Sequence, residues 1–382
     1  MAAAPVLAAA PPIDEIAADA AAVDGDGRLP EPALAALRRD GLLALAVPQA
    51  YGGPGGGPVE FAAVAEQVAG ACASTGMVYV MHVVAAQTLV AGTADSEAEG
   101  PRHEALRAIA RGEHLTTLAY SERGSRGHFW AQVSRARAGG DEVVIDAQKS
   151  FVTGAGHVES YVTASGAPGR DGPLETDLYL VPADAPGVEV PRRFDGLGLR
   201  GNASAPLSLR AVRVSANRRL GGPASGLELM LTATLPWFVL GSAACSVGIA
   251  GAALEAATGH AQAARFEHLG STLADVPGVR ERLARAHVRH AESRAYVHDV
   301  ARRLADGAPT AQLGVLGVKA AAAEMAVEVT ELCMRVGGGA AYAKHGSLER
   351  HLRDARAASV MAPTTDVLHD FLGKALTGQE LF

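Results

Sequence analysis

Three side chains in this 382-residue sequence are of a type and placement suited to moving a proton. His128 in RGSRGHFW and His157 in FVTGAGHVES sit in loop-like stretches and carry the one side chain whose ordinary pKa lies near neutrality. Asp366 in PTTDVLHD is the third. A Thr364 or Thr365 N-cap places it in the first turn of a helix, where the dipole favours an acid. The hydroxyls of Ser121 and Thr153 lie in strand-like texture and can donate or accept a hydrogen bond. No metal is expected: Cys72, Cys245 and Cys333 are far apart, without CxxC or Cys/His spacing, and read as buried thiols in a reducing cytoplasm. The glycine-rich VPQAYGGPGGGP reads as a connector. It is not a phosphate-cradling loop, because no strand and helix flank it and no Lys-Ser/Thr follows.

The elements that must position these groups fall into three textures. From Ile13 to about Gly112, apolar residues recur at three- and four-residue spacing, as in PALAALRRDGLLAL, and predict helices. From Leu115 the chain turns to short Val-, Thr- and aromatic-rich runs such as EVVIDA, SYVTAS and DLYLV, broken by Gly, Pro and Asp, which predict an antiparallel β unit. From about Gly222 long Ala-rich helical segments return and persist. The expected layout is α+β: a flexible Ala/Pro leader over 1–12, a helical domain over 13–114, a β domain over 115–221 and a helical domain over 222–382. The leader lacks the basic start and Leu-rich core of a signal peptide. Apolar stretches such as Leu240 to Ala253 are short and rich in small residues, so no membrane span is expected. A net charge of −7, with arginines scattered among acids, argues against a nucleic-acid surface.

Helices, a small β domain and helices again is the order of the acyl-CoA dehydrogenase superfamily, and local motifs resemble that family along nearly the whole chain. DGLLALAVPQAYGG is similar to its N-terminal P-x-x-YGG stretch, SERGS at Ser121–Ser125 to its flavin loop, and KSFVTGAGH at Lys149–His157 to its K-x-(F/W)-I-T-N motif. GLGLRGNASAPLSLRAVRV, GVLGVKAAAAEMAVEVTELCMRVGGGAAY and LERHLRDAR complete the resemblance. It implies a C-terminal four-helix bundle, and FAD lodged between the β domain and that bundle in a homodimer or homotetramer whose subunits share the site. It further implies that Thr153 and Ser121 meet the polar edge of the flavin ring, that Phe151 replaces the commoner Trp as an apolar wall, and that Gly124 lets the backbone approach. Arg265 in AARFEHLG resembles the arginine that reaches the FAD pyrophosphate across the subunit interface, with one more residue before the glycine. Gly337 and Gly338 match a turn at the adenosine end, and Thr364 matches a threonine associated with FAD contact.

Two departures bear on chemistry. Dehydrogenation of a thioester needs a base for the α-proton while the flavin takes the β-hydride. The family presents a glutamate for this at the position of Ala362, followed by glycine where Pro363 stands; the alternative position, in TLPWFVLGSAA, holds Phe238 and no carboxylate nearby. In addition, RGSRGHFW is bulky where the family's loop is small. The resemblance therefore leaves three functions open. The first is oxidation of an acyl thioester, on CoA or a carrier protein, by a non-standard base such as His128, His157 or Asp366, with a flavoprotein as electron acceptor. The second is a flavin monooxygenase or oxidase using O2. The third is a catalytically silent flavin- or acyl-binding subunit.

Overall fold

The computed structural model describes residues 10–94, 99–344 and 346–382, so most of the expected leader lies outside the described residues. The first unit comprises α1 (Ile13–Asp26), α2 (Glu31–Arg39), α3 (Pro58–Ala71), α4 (Ala73–Ala91) and α5 (Pro101–Ala110). Proline occupies the first turn of α2, α3 and α5, where a missing N–H costs nothing. The Gly-rich connector is folded, with the Gly55 and Gly56 N–H groups donating to the carbonyls of Val47 and Leu45 at 2.9 and 2.7 Å.

The middle unit holds β1 (Thr116–Ala119), β2 (Arg137–Gly139), β3 (Glu142–Val152), β4 (Ser160–Gly166), β5 (Thr176–Pro182), β6 (Val188–Glu189), β7 (Ala205–Ser215) and β8 (Arg219–Leu220). They form two sheets, ordered β1-β4-β5-β8 and β2-β3-β7-β6. The expected antiparallel β unit is present, with one pair as an exception. β1 and β4 are parallel, with Leu118 opposite Val162, because the chain leaves the first sheet after β1, builds β2 and β3 in the second, and re-enters beside β1 in the same direction. Every residue of β4 is buried, as a strand covered on both faces requires. On β3 the pairing with β7 slips between Lys149 and Val152, a bulge that re-aims Phe151, whose φ is 55°.

The third unit begins with α6 (Gly226–Leu229), which runs through a π turn at Met230–Thr234 into α7 (Leu235–Ala263). A small hairpin, β9 (Arg265–Phe266) and β10 (Ser271–Thr272), leads to α8 (Pro277–Ala305), α9 (Ala311–Ala341), α10 (Ser347–Ala355), α11 (Ala357–Val360) and α12 (Thr365–Thr377). The expected four-helix bundle consists of three long helices, α7, α8 and α9, with the shorter α12 against α9. The apolar stretch around Leu240 is longer than the sequence suggests: Gly226–Ala263 and Ala73–Ala91 are each long and apolar enough to cross a membrane, yet 78% and 83% of those windows are buried inside the protein. They are core helices. α7 lies so close to α3 that a Cβ at Gly248 would fall 2.1 Å from the Glu66 carbonyl, which ties the first and third units together.

Candidate active site

A cavity of about 850 Å³ opens where the three units meet, of a size typical of cofactor and ligand sites. β3 contributes Ser150 and the bulged Phe151 to its wall, Thr153 follows directly after its end, and the turn after β1 contributes Ser121 and Gly124. The floor comes from Phe238 on α7, and the far wall from the Ala357–Thr364 segment, including Ala362. Thr153 Oγ1 lies 3.3 Å from Ser204 Oγ, so two hydroxyls share one edge. Phe151 and Phe194 meet edge-on at 5.4 Å while remaining 65% and 50% exposed. Flat apolar rings left open beside a row of hydroxyls fit a planar heteroaromatic cofactor with one polar edge, as FAD has.

Sequence reasoning missed what holds the near wall. Lys149 is fully buried; its ammonium donates to Glu122 Oε1 at 2.7 Å, to Gln132 Oε1 at 3.0 Å, and to the carbonyls of Tyr120 and Ala164. Glu122 also accepts the N–H groups of Val133 and Ser134, at 2.6 and 2.8 Å, and the Ser134 hydroxyl. Burial alone would raise the Glu122 carboxyl; Lys149 and Ser134 outweigh it and hold the pKa below the ordinary carboxylate value. The signal was present in the K of KSFVTGAGH, a lysine in phase with Val143, Ile145 and Ala147 on the core-facing side of an alternating strand.

A second buried lysine holds the far wall. Lys319 on α9 donates to the carbonyls of Ala358, Met361 and Pro363 at 2.7, 2.9 and 2.8 Å and lies 5.9 Å from the Phe238 ring centre. Burial without a counter-anion pulls its pKa down to about 7, yet three carbonyls take up all three protons of the ammonium, and a neutral amine would leave one carbonyl unpaired. The third wall, Phe194–Asn202, is fixed by the LERHLRDAR segment. Arg353 donates to Asp24 on α1 at 2.6 and 2.9 Å, to Glu349 on α10 at 2.7 and 3.0 Å, and to the Leu197 carbonyl at 3.1 Å. Buried Asp354 accepts the Leu199 N–H at 2.6 Å, and burial pushes its carboxyl up to about 6. A Cβ at Gly198 would sit 2.4 Å from the Arg353 carbonyl, so only glycine fits there.

Of the expected site residues, Ser121, Gly124, Phe151, Thr153, Thr364 and Ala362 come together at this cavity. The proposed bases do not. His128 is exposed and stacks on Trp130 at 4.9 Å, His157 is exposed in the turn after β3, and neither lines the cavity. Asp366 is exposed in the first turn of α12, behind the Thr364 N-cap whose hydroxyl receives the Val367 N–H at 3.5 Å. Arg265 is exposed in the β9–β10 hairpin, and Gly337 and Gly338 lie at the distant end of α9, where Gly338 takes φ 54° and breaks the helix. All three are outside this chain's own cavity. Among the residues that line it, Glu122 is the only carboxylate, and it is engaged with Lys149.

Known proteins divide along the same lines. Sequence models of the N-terminal, middle and C-terminal domains of acyl-CoA dehydrogenase match residues 13–113, 117–212 and 224–377. The chain is 31% identical over 364 residues to a probable acyl-CoA dehydrogenase, YngJ, of Bacillus subtilis, covering 92% of this chain and 91% of that protein. Butyryl-CoA dehydrogenase from Megasphaera elsdenii superposes with a TM-score of 0.88 at 21% identity, over 95% and 94% of the two chains. FkbI, from biosynthesis of the methoxymalonyl extender unit of a polyketide immunosuppressant, gives 0.83 at 27% identity over 96% and 98%. With its three domains matched in order and a cavity at their junction, the chain belongs to the acyl-CoA dehydrogenase family of FAD-dependent oxidoreductases.

Proposed function

We propose that the protein oxidises an acyl thioester, carried on CoA or on a carrier protein, in the cavity between β3, the Ser121–Arg126 turn and the Ala357–Thr364 segment. The α-proton passes to a base other than a carboxylate on that last segment. The observation that carries this reading is the cavity wall itself: hydroxyls and open aromatic rings on one side, Ala362 on the other, and its one carboxylate already paired. FAD, when bound, supplies the hydride acceptor. Thr153 and Ser121 offer hydroxyls to the polar edge of the ring, Phe151 and Phe194 bound its face, and Lys319 keeps the Ala362 segment at a fixed distance from them. Apolar walls exclude water from the reacting carbons, which strengthens every polar contact made inside.

The assembly is a cytoplasmic homodimer or homotetramer. Phe151, Phe194 and Val360 are left open at the cavity mouth of one chain, and the expected cofactor contacts Arg265, Gly337 and Gly338 lie outside that chain's cavity, as they would if they served a second copy. Electrons then pass to a partner flavoprotein. A second reading is favoured by the lack of a free carboxylate or histidine in the wall: reaction with O2, which needs no α-proton base. One set of measurements decides among these. The purified protein should carry noncovalent FAD and scatter light as an oligomer, and an acyl thioester should bleach the flavin without oxygen. Thioesters that leave the spectrum unchanged, together with rapid reoxidation of the reduced protein in air, select the oxygen-using reading. Protein that takes up no FAD refutes both.

A further inference from the structure

The turn that replaces the family's small flavin loop carries two arginines, Arg123 and Arg126, and both line the cavity. Among the described residues neither side chain makes a hydrogen bond or an ion pair, whereas other surface arginines such as Arg39, Arg107, Arg137 and Arg289 lie against carboxylates. Glu122 does not balance them, because its charge is already met by Lys149 at 2.7 Å. The cavity therefore holds two uncompensated positive charges and no free negative one. Both side chains are exposed at the cavity rim, so their attraction for an anion is weakened by salt.

The guanidinium groups sit on a fixed base. Their turn is closed by the Ser125 N–H donating to the Glu122 carbonyl at 3.3 Å and the His128 N–H donating to the Ser125 carbonyl at 3.0 Å. Glu122 is itself pinned by Lys149, Val133 and Ser134. Arg126 adopts φ 51°, a left-handed conformation that an arginine adopts rarely. A Cβ on Gly127 would touch the Thr364 methyl at 3.7 Å, so the turn abuts the start of α12, whose N-terminal dipole adds to the positive field. Asp366 in that same first turn is exposed and does not line the cavity.

We infer that Arg123 and Arg126 form an oxyanion subsite of the cavity, which takes a phosphate or carboxylate group of the molecule bound there. A planar guanidinium offers two parallel N–H donors that match either group. The inference rests on the reading of this cavity as the flavin and thioester site. Two sources share the chemistry: the pyrophosphate of the cofactor, or an acidic group on the acyl substrate, which would make the preferred substrate a dicarboxylic monothioester.

The test uses the full chain, freed of flavin and carrying Trp237→Phe throughout, and follows fluorescence of the remaining Trp130, which lies in the same loop. Inorganic pyrophosphate is titrated into the wild type, into Arg123→Gln with Arg126→Gln, and into Arg137→Gln as a surface control. The double variant should bind at least tenfold more weakly than the wild type and the control, and wild-type binding should weaken with added salt. A loss of less than twofold, or no binding by the wild type, overturns the subsite. Two further titrations assign its source. If the double variant loses affinity for FAD but not for riboflavin, the pyrophosphate is the occupant. If the FAD-loaded variant loses affinity for malonyl-pantetheine but not propionyl-pantetheine, the occupant is a substrate carboxylate. Wild type that binds pyrophosphate but no flavin keeps the subsite and refutes the flavin reading. Circular dichroism and melting of each variant separate lost binding from lost folding.

Discussion

The buried Lys149–Glu122 pair predicts a specific pattern of stability losses. Lys149→Met removes the cation paired with Glu122 and withdraws a donor from Gln132, Tyr120 and Ala164. Breaking a buried pair by deleting one partner costs about 3–5 kcal/mol, because the surviving charge has no solvent and no counter-ion. Glu122→Gln in the same background removes that stranded charge. The amide can still accept the Val133 and Ser134 N–H groups through one oxygen and donate to the Ser134 hydroxyl through its nitrogen. The double variant should therefore be more stable than Lys149→Met alone, with a coupling of at least about 2 kcal/mol, within the range measured for contacting residues. Urea unfolding of wild type, both single variants and the double variant gives the cycle directly. The single change costing under about 1 kcal/mol, or the two losses simply adding, would refute the argument that this pair holds the near wall. Loss of the wall should also reach the site, since Ser121, Arg123 and Gly124 flank Glu122.

Other outcomes follow from the same geometry. His82 is fully buried, donates from Nε2 to the Leu43 carbonyl and accepts the Thr116 N–H at Nδ1; burial lowers its pKa to about 4. The unfolded chain therefore binds more protons between about pH 6.5 and 4, and His82 contributes a fall of roughly 3 kcal/mol across that window, to which buried His351, likewise lowered to about 4, adds in the same direction. Asp354, raised to about 6, works against this loss between pH 6 and 4, and His82→Asn should flatten the acid limb measured by urea unfolding. Ala362→Glu with Pro363→Gly should raise anaerobic bleaching by acyl thioesters if the protein acts as a dehydrogenase, and slow reoxidation in air if it uses O2. His128→Gln, His157→Gln and Asp366→Asn, all outside the cavity, should each leave turnover within twofold of wild type; a tenfold loss in any of them would return that residue to the chemistry.

The residues that meet at the cavity were legible where a motif fixed their local backbone. KSFVTGAGH brings Phe151 and Thr153 to the wall because a strand with one bulge is specified by short-range pattern. That the candidate bases lie outside the cavity wall was not legible, for the opposite reason. Whether His128 faces the cavity or stacks on Trp130 depends on packing against Phe371 of α12, far away in sequence, and no local spacing encodes that. The parallel β1–β4 pair was hidden likewise, since strand texture gives no direction and the pairing is set by a long excursion through the other sheet. Nothing in the Ala-rich stretch around Lys319 marks it as a wall residue. Its three carbonyl partners are created only when the segment after α10 folds back over α9.

The cavity walls differ in how they are tethered. The Phe194–Asn202 wall is bonded to all three units at once through Arg353, Asp354 and Gly198, so altering it disturbs the packing of the whole chain. The opposite wall is anchored at its two ends, by the Glu122–Lys149 pair and by buried Phe129 and Trp130, the latter against Phe371, while Arg123–His128 between them projects as a turn. Exchanging Arg123–His128, while keeping Glu122, Lys149, Phe129 and Trp130, would alter what enters the cavity with little penalty to folding. A lineage of such proteins can therefore diversify its substrates at that edge while the opposite edge stays constant.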